Sequence, residues 1–251
     1  MSGQRWGVLP SLQAGGEEQM QRDRWMLDQL ARPAGETPMA LLRFYRWSEP
    51  TLSLGHHQSA PDRAATADLP MVRRPSGGAA VLHGGDLCYA VALAQPPRGG
   101  RRAYLDLNHW LQCGFERLGA VLRAGEEPQR RQERHCFASA TAADLVDRSG
   151  RKRIGSAQLW RRGQLLQHGS IQLDPDPALW KALFEEAPPP PLAQGSGVML
   201  EQQLLLEAKR WLFGCSPDQL AWPDPWPPAA ARTSGNAATV SAMGPSDSPS
   251  G

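Results

Sequence analysis

Residues 71–93, MVRRPSGGAAVLHGGDLCYAVAL, decide the fold. Apolar runs of strand length are cut by Ser76-Gly77-Gly78 and by Gly84-Gly85, so this stretch reads as strands joined by tight, glycine-lined turns. Upstream, MALLRFYRW (39–47) and TLSLG (51–55) have the same character. Helical spacing appears on both sides of this block. Met20, Asp23, Leu27 and Leu30 share one face of a helix expected over 17–31. A carboxylate on an apolar face is unusual, so Asp23 is either a partly exposed edge position or a group that orders a neighbouring loop. Leu107, Trp110, Leu111, Phe115, Leu118 and Leu122 repeat at threes and fours, which predicts a helix over 104–123.

Beyond the charged connector GEEPQRRQER (125–134), the segments CFASATAADLVDRSG, RKRIGSAQLWRRGQ and LLQHGSIQL read as three strands joined by turns. A short helix at about 177–185 follows. A last amphipathic helix is expected at 199–212, with Leu200, Leu204, Ala208 and Trp211 inward and Gly214 past its end. Together these elements give an α+β domain with a mixed sheet. It is expected to occupy residues 1–228, with its core at about 15–215. The Ala/Ser/Gly/Pro-rich tail 229–251 is too poor in large apolar groups to pack.

The formal charge is only +2, so the composition gives no electrostatic case for nucleic acid. No run reaches the length of a membrane helix, and residues 1–19 lack the apolar core of a signal peptide, so a cytoplasmic protein is expected. The four cysteines, Cys88, Cys113, Cys136 and Cys215, lie far apart. A disulfide framework is not expected, and neither is a metal site, because no cysteine or histidine has ligand spacing. Of 27 basic residues only Lys152, Lys181 and Lys209 are lysines, so a lysine that persists in this arginine-rich background is a candidate for a role only lysine fills.

Three segments put chemistry at strand ends. In the first, Arg73-Arg74-Pro75-Ser76-Gly77-Gly78-Ala79 with His83 after it, glycines let backbone N–H groups approach a ligand and the arginines suit a carboxylate or phosphate. A ligand-free hairpin turn would use the same residues. The second is His135-Cys136-Phe137. The third is Lys152-Arg153-Ile154-Gly155-Ser156-Ala157, followed by Gln167-His168-Gly169-Ser170. A cysteine attacks only as thiolate, and a lysine nearby lowers its pKa and can donate to an acyl oxygen as negative charge develops there. Lys152 can equally be one more exposed cation in a basic turn.

In order along the chain, EPTLSLGHHQ (49–58), RRPSGGAAVLH (73–83), DLCYAV (86–91), KRIGSAQ (152–158) and LLQHGS (165–170) resemble the biotin/lipoate protein ligase family, most closely its octanoyltransferase and lipoate ligase branch. Met20 and Asp23 match that branch's opening helix. The resemblance implies a largely antiparallel mixed sheet flanked by helices. It also implies transfer of octanoyl or lipoyl groups to a lysine of a lipoyl-carrier domain, of the glycine cleavage H protein or dehydrogenase E2 type. On this resemblance Cys136 is the nucleophile, acylated from acyl carrier protein, and Lys152 contacts the acyl carbonyl. The resemblance gives the substrate contacts to Arg73, Arg74, Ser76, Gly77, Gly78, Ala79, His83, Gly155, Ser156, Ala157, His168 and Gly169. The family's glycine triplet ends here in Ala79, and His56 replaces an aromatic residue. No cofactor is expected. Two alternatives stand beside this reading: a ligase that uses ATP and magnesium to form an acyl-adenylate, and a non-catalytic protein that binds acyl carrier or lipoyl domains.

Overall fold

The computed structural model describes residues 5–31, 39–59, 68–97, 99–126, 140–192 and 197–227. Its elements in chain order are β1 (Trp6–Val8), β2 (Leu12–Ala14), α1 (Gly16–Leu30), β3 (Ala40–Trp47), β4 (Thr51–Leu54), β5 (Met71–Arg73), β6 (Val81–His83), β7 (Asp86–Leu93) and α2 (Gly100–Arg117). Then come β8 (Arg123–Ala124), β9 (Leu145–Val146), β10 (Lys152–Arg161), β11 (Gln164–Gln172), α3 (Pro177–Phe184), α4 (Gly197–Glu207) and β12 (Asp218–Gln219). The main sheet has the order β12-β1-β3-β7-β11-β10-β9-β8, with β2 also paired to β3, and a smaller sheet has the order β5-β4-β6. From β3 through β7, β11 and β10 to β9 every pairing is antiparallel, while β1 and β2 run parallel to β3. This is the mixed, largely antiparallel α+β architecture expected from the sequence.

Period-two alternation gives the main sheet two different faces. Leu42, Phe44, Leu87, Tyr89, Val91, Ile154, Leu165 and Ile171 pack with Leu107, Trp110, Leu111 and Phe115 of α2 and Leu200 and Leu204 of α4. That face is the main core. The opposite face carries Arg43, Tyr45 and Trp47 from β3, Asp86 and Cys88 from β7, and His168 and Ser170 from β11, on the side where α1 contacts β3, β7 and β11. Register lines these residues up in rows. Arg43, Ala90, His168 and Ala157 are neighbours across four strands, and so are Tyr45, Cys88, Ser170 and Gly155. The alanines and the glycine keep the rows from filling, and that sets where a pocket can form.

Some sequence expectations need correction. The α2 helix spans Gly100–Arg117 rather than 104–123, because the chain leaves it through Leu118 and Gly119, the latter at φ 83°. Leu122 kept the periodicity going only because it returns to the same core, 5% exposed. Of the first of the three expected strands after residue 135, the described residues 140–150 are extended as a strand at Leu145–Val146 alone. Trp211 does not point inward: it is 47% exposed, because the chain after α4 continues as π-helical turns over Ala208–Phe213 and the wider turn rotates it out. The three-residue strands β1 and β2 were not read, since they are too short to show a period. The segment Met1–Ala221 forms one compact unit and Trp222–Gly251 another. The tail expected from 229 lies outside the described residues.

Candidate active site

A cavity opens on the α1 face of the main sheet, with about 430 Å³ of empty space counting its solvent-open mouth. Its wall is formed by Met20, Tyr45, Trp47, Arg74, Gly78, Val81, His83, Cys88, Gly155, Ser156, Ala157, His168, Gly169 and Ser170. Met20 comes from α1, Arg74 and Gly78 from the glycine turn between β5 and β6, and most of the others from the two register rows. Gly55 holds that turn in place: a Cβ there would come 1.8 Å from the carbonyl oxygen of Gly78, so only glycine lets the two backbones touch.

Two hydrogen-bonded chains flank the cavity. In one, Ser76 Oγ lies 2.5 Å from His168 Nε2, and His168 Nδ1 lies 2.6 Å from Asp23 Oδ2. Arg43 donates to Asp23 Oδ1 from Nε and Nη2, and to the Gln19 side-chain and backbone oxygens. Burial alone would raise the Asp23 carboxyl, but the Arg43 charge and the bond from His168 hold it below the usual carboxylate range. In the other chain, Ser53 Oγ lies 2.7 Å from His83 Nε2, and His83 Nδ1 lies 2.6 Å from Asp86 Oδ2. Asp86 also accepts from the Ser170 hydroxyl, the Cys88 thiol and the Gly84 N–H. Burial works to raise Asp86, and these donors bring it below its ordinary value. Burial lowers His83 despite its carboxylate partner, which keeps the ring neutral. Trp47 stacks on His83 at 4.0 Å and donates its indole N–H to Cys88.

Of the residues expected from the sequence, Arg74, Gly78, His83, Gly155, Ser156, Ala157, His168 and Gly169 meet in the cavity wall. The Ser156 hydroxyl points away from it and bonds Tyr89 on the core side, so Ser156 contributes backbone. Ser76 is buried against His168. Arg74 spans the turn by donating to the carbonyls of Ser53, Gly77 and Ala79. Arg73 stands apart: its guanidinium donates to the carbonyls of Gly55, His56 and Gln58, a loop-holding role rather than a place in the wall. Lys152 opens β10, buried, with Nζ 2.8 Å from Asp144 Oδ1. It is not part of the cavity wall described here. Asp144 is fixed in turn by the Thr141 N–H and hydroxyl. Cys136 lies outside the described residues.

Sequence reasoning missed Arg43, Tyr45, Trp47, Cys88 and Asp86 as site residues. Asp23 had given a signal, a carboxylate on an apolar helix face, and it is fully buried rather than at an exposed edge. Cys88 lines the cavity, but burial and then the Asp86 charge push its thiol well up, the opposite of what a nucleophile needs. Ligating atoms of His83, Asp86 and Cys88 lie within 4.8 Å of one another, close enough to hold a metal, although hydrogen bonds among them already account for the arrangement.

Fold and site define an α+β domain whose sheet cradles a small-molecule pocket under a glycine-rich turn. The lipoyl protein ligase A/B catalytic domain matches residues 16–194, and this chain belongs to that family. Octanoyltransferase LipM of Symbiobacterium thermophilum is 35% identical over 193 residues, covering 71% of this chain and 69% of that protein. LipM of Oceanobacillus iheyensis is 35% identical over 161 residues, covering 60% of this chain and 58% of that protein, so the match spans less than two thirds of this relative's length. Among solved structures, lipoate-protein ligase A bound with ATP superposes with a TM-score of 0.72 at 19% identity, covering 86% of this chain and 89% of that one. A bi-partite lipoate protein ligase and its E2 lipoyl domain from Thermoplasma acidophilum gives 0.66 at 20%, covering 86% and 88%. At such identities the likeness establishes the fold. No helix among the described residues is long and apolar enough to cross a membrane.

Proposed function

We propose that this chain transfers an octanoyl group from a thioester donor to a lysine of a lipoyl-carrier domain. The observation that carries this reading is the meeting, in one cavity, of the glycine turn, the Gly155–Ala157 strand and His168–Gly169. The glycine turn is far in sequence from the β10–β11 hairpin that holds the other two, and all lie within the stretch matched by the family. The names of the relatives support octanoyl as the acyl group, and the archaeal lipoylation system of a bi-partite ligase and its E2 lipoyl domain supports a lipoyl domain as acceptor. In this scheme the Cys136 thiolate attacks octanoyl-acyl carrier protein, the carrier thiol leaves, and the acyl group rests on Cys136 as a thioester. The acceptor lysine, on a glycine cleavage H protein or a dehydrogenase E2 domain, then attacks that thioester and forms the amide. Lys152 stabilises the developing oxyanion at both stages. Its contact with Asp144 keeps it in place. No nucleotide or metal takes part, and the reaction belongs in the cytoplasm.

The test is the intact mass of the protein after incubation with octanoyl-acyl carrier protein without ATP, beside Cys136→Ala. An octanoyl adduct labile to hydroxylamine, on the wild type alone, is expected. If the adduct forms only when ATP and free octanoate or lipoate are supplied, the thioester scheme falls and the adenylating reaction takes its place.

A further inference from the structure

The transfer scheme leaves one constellation in the cavity unused. Asp23 comes from α1, Ser76 from the glycine turn and His168 from β11, and the fold joins them end to end with contacts of 2.5 and 2.6 Å. The direction of the chain is set at its buried end. Asp23, fully buried and paired with Arg43, accepts hydrogen bonds as a carboxylate. His168 Nδ1 is therefore the donor to it. In the tautomer protonated at Nδ1, Nε2 is an acceptor, and the Ser76 hydroxyl donates to it. Nucleophile, base and orienting carboxylate stand in the order that activates serine for acyl transfer on unrelated folds.

We propose that Ser76, His168 and Asp23 form a second acyl-accepting centre, which gives the chain a serine-dependent hydrolytic activity on acyl esters and thioesters. The choice of a medium-chain acyl group rests on the transfer reading; the serine chemistry does not. In the first step Ser76 Oγ bonds to the acyl carbonyl carbon while its proton passes to His168 Nε2. The carbon–sulfur or carbon–oxygen bond breaks, and the leaving group takes that proton. Water then attacks the acyl-serine, gives its proton to His168, and releases the carboxylic acid as Ser76 regains its hydrogen.

The surroundings fit this use. His168 and Gly78 both belong to the cavity wall, so an acyl group held there lies against the base and the turn. Ser76 is 1% exposed and sits directly behind the wall residue His168, so in this scheme a substrate reaches it past that imidazole. Just after it, the space a Cβ would occupy at Gly77 has no atom within 4 Å, so the backbone behind the serine is open to a carbonyl. The second chain, Ser53–His83–Asp86, lacks this access. Ser53 sits inside β4 with no exposure, and its hydroxyl oxygen also accepts from Arg74 Nη1 at 2.7 Å.

The experiment combines labelling with turnover. Wild-type protein is treated with an octyl fluorophosphonate and the adduct is mapped by peptide mass. Hydrolysis of p-nitrophenyl octanoate is then measured in Cys136→Ala, which removes the thiol route, and in the same background with Ser76→Ala or His168→Ala. An adduct on Ser76, together with hydrolysis that falls by about 10²-fold or more in both double variants, is expected. No adduct on Ser76, or hydrolysis unchanged by Ser76→Ala, overturns the proposal. The mapping needs no variant, so a misfolded mutant cannot obscure the result. A missing thioester at Cys136 would sink the transfer scheme and leave a Ser76 adduct standing.

Discussion

Two chains built from the same three residue types face each other across one cavity, and they differ in what anchors each carboxylate and where each hydroxyl sits. Asp23 is held by a guanidinium, Asp86 by a hydroxyl, a thiol, a backbone N–H and a neutral imidazole. Ser76 lies in a turn whose next residue is open to space, while Ser53 lies inside a strand under Arg74. Residue type alone therefore does not make a reactive group. The Ser53 chain clamps the small sheet to β7, and the Ser76 chain joins the glycine turn to β11 and α1 through the wall residue His168.

The largest expected effect separates the two anchors. Asp23→Ala leaves the buried Arg43 charge without its carboxylate, and about 3–5 kcal/mol of stability should be lost in urea unfolding. Asp86→Ala strands mostly neutral donors and should cost less, about 1–3 kcal/mol. Equal losses would mean that the guanidinium is not what distinguishes the chains.

A second test acts on the turn. Gly55→Ala drives a methyl against the Gly78 carbonyl at 1.8 Å, and should cost about 1–3 kcal/mol while lowering labelling of Ser76. Gly77→Ala meets no atom within 4 Å, so its unfolding midpoint should move far less. If the two variants are equally destabilised, the close approach of Gly55 is not what shapes the turn.

Acidification should act first through the Ser53 chain. His83 is lowered by burial, so the unfolded state binds its proton first, and stability should decline as pH falls below about 6.5. That part of the decline should be missing in His83→Gln. The depressed carboxylates Asp23 and Asp86 stabilise the fold above their unfolded value of about 3.9, and this contribution is lost only as pH falls further, through their folded values. Thermal midpoints measured from pH 8 down to about 2 separate the two phases. The smallest effect concerns Cys88: with its thiol pushed up by burial and Asp86, it should alkylate with iodoacetamide at pH 8 more slowly than free cysteine.

Much of this molecule was legible in the chain because period and punctuation are local. The alternation in 39–47 and 86–93, the glycine pairs and the helical spacing in 17–31 each depend on near neighbours, and they fixed the α+β class and most strand positions. The glycine turn and the residues 155–157 and 168–169, grouped on resemblance rather than on geometry, contribute Arg74, Gly78, Gly155, Ser156, Ala157, His168 and Gly169 to one cavity wall. Arg43 and Trp47 could not be placed that way. In RFYRW (43–47) the buried Arg43 and the half-buried Arg46 read alike until α1 supplies the Asp23 and Gln19 partners of Arg43.

The sequence by itself determined most of the elements and the family, because these follow from residue type, spacing and motif order. Only the tertiary structure decided which hydroxyl, imidazole and carboxylate would touch. Ser76 and His168 are 92 residues apart, and His168 and Asp23 are 145 apart. Their contact rests on strand register across β3, β7 and β11 and on the docking of α1 over that face. These are long-range pairings, fixed by burying the whole sheet and by no local signal in the chain.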